Sequence, residues 1–223
     1  MKWNFKRDIF AISLVFFSIF IAIYFYPQLP NIVPSHFNSD GIPDGYSPKN
    51  DLIALSIGIP VAIYFLLTFI PFIDPFKKKI EKNYNIFLLF RDLAIVFMVF
   101  MTLLNFISAK EGKFRSDLFG IGFGLLFILL GNYLPKLPRN FFFGIRSPWT
   151  LASDTVWYRT HRISGSLFMA AGILLILLAI LKVKLFISLI VVLTPLLVFT
   201  AFVYPFTLYR KLQKEGAQNK PDL

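Results

Sequence analysis

Three groups of residues in this chain have the types and spacing to do chemistry. The densest lies between Gly131 and Gly165 and holds Asn140, Gly144, Arg146, Pro148, Trp149, Thr150, Trp157, Thr160, His161 and Arg162. On a helix Trp157, His161 and Ser164 share one face, by spacings of four and three. Guanidinium forks, an indole N–H and an imidazole on one surface can hold a carboxylate, a phosphate or a peptide backbone. Anchoring at the lipid headgroups would account for Trp149, Trp157 and the arginines alone. The added Asn, Thr and His argue for a specific partner-binding site. The second group is Arg91-Asp92, set inside an apolar run. A charge at mid-membrane costs about 3 kcal/mol on insertion scales. The pair therefore reads as a functional site or as a tether to a neighbouring helix, with Arg91 near enough to the membrane edge to snorkel. Adjacent helical positions point in different directions, so each is expected to need its own partner.

The third group is the proline-rich segment Pro27 to Asp51, with Pro34, His36, Asp40, Gly41, Pro43 and Asp44. His36, Asp40 and Asp44 are cation-ligand types. In an EF-hand frame with Gly41 at the sixth position, His36 falls first and Ser47 twelfth, where a bidentate Glu is required. A rigid turn capping the helices is expected, with no metal. Cysteine is absent, which excludes thiolate metal sites and cysteine nucleophiles. There is no His-Glu-x-x-His pattern and no phosphate-cradling glycine loop. The two histidines, His36 and His161, fall in connections expected on opposite sides of a membrane. No catalytic constellation forms, so the chain reads as a non-enzyme without a cofactor.

These groups must be positioned by membrane-spanning helices. Of the 223 residues 57% are hydrophobic and only 16% charged, with a mean hydropathy of +0.67. Roughly 20 apolar residues cross the bilayer core. Six segments approach that length: Ile9 to Tyr26, Leu52 to Ile73, Tyr84 to Ile107, Leu118 to Tyr133, Ile163 to Leu181, and Leu185 to Phe206. The first follows Lys2, Lys6 and Arg7 but ends in Tyr24-Phe25-Tyr26-Pro27, with no small-residue cleavage site, so a retained helix is expected. The fourth carries Gly120, Gly122 and Gly124, small residues suited to close packing within the bundle. Only Lys182-Val183-Lys184 joins the last two, which demands a tight hairpin.

The formal charge of +11 would suit nucleic acid, but its distribution follows the positive-inside rule. With the N-terminus inside, 16 Lys and Arg face the cytoplasm and 6 face outward, with Arg91 left in a span. The outward six include Lys110, Lys113 and Arg115 in one connection, which is where the asymmetry is weakest. The expected fold class is an all-α membrane protein: a bundle of six transmembrane helices, N-in and C-in. Residues 1–107 form an N-terminal membrane domain with the extracytoplasmic loop. Residues 108–223 form a second with the cytoplasmic motif loop.

The string Asn140-x-x-x-Gly144-Ile145-Arg146-x-Pro148-Trp149-Thr150-Leu151, followed by Trp157 and Thr160-His161-Arg162-x-x-Gly165, resembles the SdpI family of bacterial immunity membrane proteins. Leu29-Pro30-x-x-Val33-Pro34-x-His36, then Gly41-x-Pro43-Asp44, is similar to the small membrane domain that precedes it in that family. Together they cover nearly the whole chain in the family's order. The resemblance implies multi-pass residence in the bacterial cytoplasmic membrane and protection from a secreted, membrane-active peptide toxin. It also implies signalling by sequestering a small cytoplasmic transcriptional repressor. Membrane lipids are the other expected partner, with no direct nucleic-acid contact. A small transporter or channel, motivated by Arg91 and Asp92, is the alternative. The motif residues are expected to serve toxin or partner binding, so that Arg146→Lys, Trp149→Phe and His161→Ala lower protection while membrane abundance stays near normal.

Overall fold

The computed structural model describes residues 5–218, with side chains to Glu215. Lys2 and Lys220, both counted in the charge asymmetry, lie outside the described residues. Six helices among these are long and apolar enough to cross a membrane, the architecture of a multi-pass membrane protein. α1 (Phe5–Phe25), α2 (Lys49–Ile73) and α4 (Tyr84–Glu111) pack on one another, α5 (Ser116–Tyr133) packs on α4 and α7 (Asp154–Ile180), and α8 (Leu185–Val198) packs on α7. Short helices α3 (Lys77–Lys82) and α6 (Pro148–Ala152) lie in connections, and α9 (Tyr204–Gln218) continues the last span. Large apolar side chains such as Phe16, Phe20, Phe69 and Ile190 remain exposed around the bundle, as lipid-facing residues must.

The local starts and stops follow ordinary helix chemistry. Ser153 caps α7, its Oγ accepting the Val156 N–H at 3.4 Å, so the helix begins nine residues before the apolar run at Ile163. α4 ends on Gly112 at φ +65°, the left-handed terminator. α8 contains Pro195, and the chain widens into a π-helical turn over Phe199–Val203 before α9, so the sixth span is not one regular helix. α5 and α7 make the closest crossing: a Cβ on Gly131 would stand 2.6 Å from the Gly165 carbonyl oxygen, so only glycine fits there. Gly120 and Gly124 also face α7, placing the small-residue stripe in packing within the chain.

The all-α expectation needs one correction. The proline-rich connection forms a two-stranded antiparallel hairpin, β1 (Ile32–Phe37) and β2 (Pro43–Pro48), with an irregular register around His36. Proline is compatible because neither strand is central: each has one unpaired edge, so a missing N–H breaks no second ladder. The bundle thus has two distinct ends. The hairpin end also holds the α4–α5 and α7–α8 turns, tied by the Phe114 N–H to the Gly41 carbonyl (3.0 Å) and by Lys184 to Asp40 (2.8 Å). The cap end holds residues 74–83 and 134–153.

Candidate functional site at the cap end

The cap is a short irregular segment folded by its own polar side chains. Asn140 is fully buried, and its Oδ1 accepts the Phe142 and Phe143 N–H groups at 2.9 and 2.6 Å. Its Nδ2 donates to the Pro138 and Phe143 carbonyls at 2.9 and 3.1 Å, so both donors and both lone pairs are used. Gly144 then turns the chain at φ +92°. Ser147 caps α6 in a reciprocal capping box: its Oγ accepts the Thr150 N–H, and Thr150 Oγ1 accepts the Ser147 N–H at 2.8 Å. Thr150 Oγ1 also donates to the Ile145 carbonyl at 2.9 Å, and Pro148 takes the first helical position, where no N–H is needed.

α7 supplies the wall on which this segment sits. Trp157 donates its indole N–H to the Leu137 carbonyl at 2.8 Å and stacks on His161, ring centroids 4.0 Å apart. His161 Nε2 accepts the Ile145 N–H at 3.0 Å, which leaves the ring proton on Nδ1, donated to the Trp157 carbonyl at 2.8 Å. Trp157, His161 and Ser164 share their face as the spacing predicts, and that face is buried. Trp157 therefore is not a headgroup anchor: it is fully buried because its N–H satisfies a carbonyl that the turn at Leu137 leaves open. Thr160 and Ser164 are buried as well, their hydroxyls without hydrogen-bond partners among the described residues.

Four motif side chains remain accessible. Arg146 is exposed, with Nη1 donating to the Phe141 carbonyl at 2.6 Å. Arg162 is exposed, and Trp149 is half-buried with its ring 5.1 Å from that of Phe206, joining α6 to the last span. Pro148 is exposed beside Trp149. Sequence reasoning missed the residues that dock the cap. Buried Asp74 accepts the Phe76 N–H at 2.6 Å and the Phe141 N–H at 2.8 Å. Arg139 donates to the Leu151 carbonyl at 3.0 Å and lies 4.6 Å over the Phe76 ring, and Asp154 receives both Arg139 and Lys79. The available signals were Asp74-Pro75 and Ser147-Pro148, an acceptor before proline at a turn.

The other two groups lie elsewhere. Arg91 is fully buried, so it does not snorkel. Its Nη1 donates to Asp8 of α1 and, at 3.1 Å, to Thr68 of α2, with the Tyr64 ring 5.4 Å away. Arg91 Nε also donates to Asp92 at 2.9 Å, against the expectation of separate partners: the long guanidinium stem folds back along its own helix. Asp8 went unnoticed in sequence because it precedes the apolar run and looks like part of a charged flank. In the hairpin, His36 Nδ1 and Asp44 Oδ1 pair at 2.5 Å across the strands, both exposed. Asn38 Oδ1 accepts the Asp40 and Ile42 N–H groups at 3.0 Å each, with Gly41 at φ +75° closing the turn. Pro43 starts β2 opposite Phe37, and Pro34 faces Tyr46. The hydrogen bond from Lys184 to Asp40 raises the Lys184 ammonium above its ordinary value.

Residues 136–208 match the SdpI/YfhL protein family, and residues 13–59 match a domain of unknown function (DUF1648). The chain is 24% identical over 208 residues to the immunity protein SdpI of Bacillus subtilis (strain 168), covering 93% of this chain and 98% of that protein. No solved structure matches.

Proposed function

We propose, from the match of residues 136–208 to the SdpI/YfhL protein family, that this chain protects a bacterium against a secreted, membrane-active peptide toxin. The observation that carries this reading is similarity to an immunity protein over 93% of the chain. Protection of this kind needs recognition rather than turnover, and the cap is organised for that. Its buried polar residues, Asn140, Thr150, Trp157 and His161, are used in holding the segment rigid. Contact with a partner falls to the exposed Arg146, Arg162 and Pro148 and to the open edge of Trp149. A rigid segment presents such side chains with little ordering cost on binding.

The 16-to-6 charge asymmetry supports a cytoplasmic cap end and a hairpin end outside the cytoplasmic membrane. The same exposed arginines then form the surface offered to a small cytoplasmic repressor, the signalling arm of the function. Reporter fusions after Asp51 and after Lys220 are expected to report outside and inside respectively. Both on one side would remove the topology.

Expression in a sensitive host, challenged with the secreted peptide of a producing strain, tests the function itself. Survival equal to an empty vector at verified membrane abundance would overturn it. Arg146→Lys keeps the charge but loses the planar fork, and Trp149→Phe keeps apolar area but loses the indole N–H. Both are expected to lower survival about tenfold or more with abundance unchanged. Wild-type survival in both would return these side chains to membrane anchoring. His161→Ala strips the Ile145 N–H of its acceptor, so abundance is expected to fall together with protection.

A further inference from the structure

Six Lys and Arg are assigned to the outer side by the charge count, and four of them converge on one cavity. This cavity, about 400 Å³, lies at the hairpin end, where the α4–α5 turn brings Lys113 and Arg115 and the α7–α8 turn brings Lys182 and Lys184. Asp40 of the hairpin and Asp117 of α5 also line it. The two carboxylates are already engaged, Asp40 by Lys184 at 2.8 Å and Asp117 by Arg115 at 3.1 Å. Lys113 and Lys182 have no ion-pair partner among the described residues, so the cavity carries two uncompensated positive charges. Lys182 occupies the left-handed terminator position after α7, at φ 55°. Glycine or asparagine usually stands there, because a Cβ costs on the order of 1 kcal/mol. The Val183 N–H returns to the Leu178 carbonyl at 3.0 Å, so the turn is well formed despite a lysine at its strained position.

The floor of the cavity is of different chemistry. Gly120, Leu175 and Ala179, from α5 and α7, give it an apolar base just inside the helix ends, and Ser116 and Ser188 also line it. Positive groups at the membrane edge over an apolar base match an amphiphile with a negative head. We propose that this cavity binds the phosphate headgroup of an anionic phospholipid, with Lys113 and Lys182 donating to the phosphate and the glycerol end lying on the α5–α7 floor. A zwitterionic headgroup fits less well, since its ammonium would need a carboxylate and both are paired. The site also accounts for the cations that weaken the positive-inside asymmetry: a headgroup neutralises them where they stand. It is independent of the immunity reading.

The test is native mass spectrometry of the full chain, purified in mild detergent and supplied with phosphatidylglycerol or phosphatidylcholine. Wild type is expected to retain phosphatidylglycerol preferentially, and Lys113→Gln/Lys182→Gln to lose about tenfold in that retention. Lys77→Gln/Lys78→Gln, exposed at the cap end, should keep wild-type retention. Thermal unfolding at the wild-type midpoint checks that the cavity variant is folded. Glycerol phosphate in excess separates a lipid from a soluble phosphate ester: persistence of the bound lipid supports the assignment, and displacement overturns it. Equal retention in the cavity variant and wild type overturns it, as does equal loss in both lysine pairs, which would be charge alone. Unchanged lipid retention with lowered survival under toxin challenge would give the cavity to the peptide instead.

Discussion

Gly144→Ala is expected to dismantle the cap. Gly144 sits at φ +92°, and a Cβ there would lie 2.4 Å from His161 Nε2 and 2.9 Å from Leu137 Cδ2. Two costs add. The left-handed backbone costs roughly 1–2 kcal/mol for a residue with a side chain. Displacing the imidazole orphans the buried Ile145 N–H, at roughly 1–3 kcal/mol. A total on the order of 3 kcal/mol lowers the melting midpoint of the purified chain by roughly 10 °C. Gly58→Ala in α2 is the control: nothing lies within 4 Å of its added Cβ, so it should be neutral or mildly stabilising. Equal midpoints for the two variants would sink the prediction. The proposed immunity role adds a second readout, since losing the platform removes Arg146 and Trp149 from register and protection should fall with abundance.

The second large effect is expected at Asp8. Removing one partner of a buried pair leaves an uncompensated charge, which costs roughly 3–5 kcal/mol. Asp8→Asn should therefore destabilise the chain severely, because Arg91 is fully buried and Asp8 is its contact on α1. Asp92→Asn should cost much less: its side chain is 20% exposed, and Asp8 and Thr68 still hold the guanidinium. The triple variant Asp8→Leu/Arg91→Leu/Asp92→Asn should recover much of the loss, since it leaves no intramembrane charge of this cluster without its partner. Asp8→Asn as stable as Asp92→Asn would show that the tether does not carry the α1–α2–α4 contact. This is the tether reading of the intramembrane charges, with the partner helix supplied by α1.

The six spans were legible from the sequence alone, because the demand for about 20 apolar residues is local and leaves its mark in consecutive positions. So was the shared face of Trp157, His161 and Ser164, set by short-range spacing. The resemblance to the SdpI family was likewise carried by motif strings such as Gly144-Ile145-Arg146. Only the tertiary structure decided what those residues touch. Whether Trp157 meets lipid or the Leu137 carbonyl depends on a chain reversal through Pro135, Pro138 and Gly144 that no periodicity encodes. Asp8 and Arg91 are 83 positions apart, and Asp74 reaches Phe141 across 67. Such pairs form because a buried charge or open N–H must find some partner, while its identity is settled by which helices pack together. The hairpin shows the same limit: prolines exclude a helix, but strand pairing requires two segments to meet. Composition and local spacing therefore determined the helices and the direction of the motif's chemistry. Packing determined which motif residues are buried in the cap and which, Arg146, Pro148, Trp149 and Arg162, stay accessible.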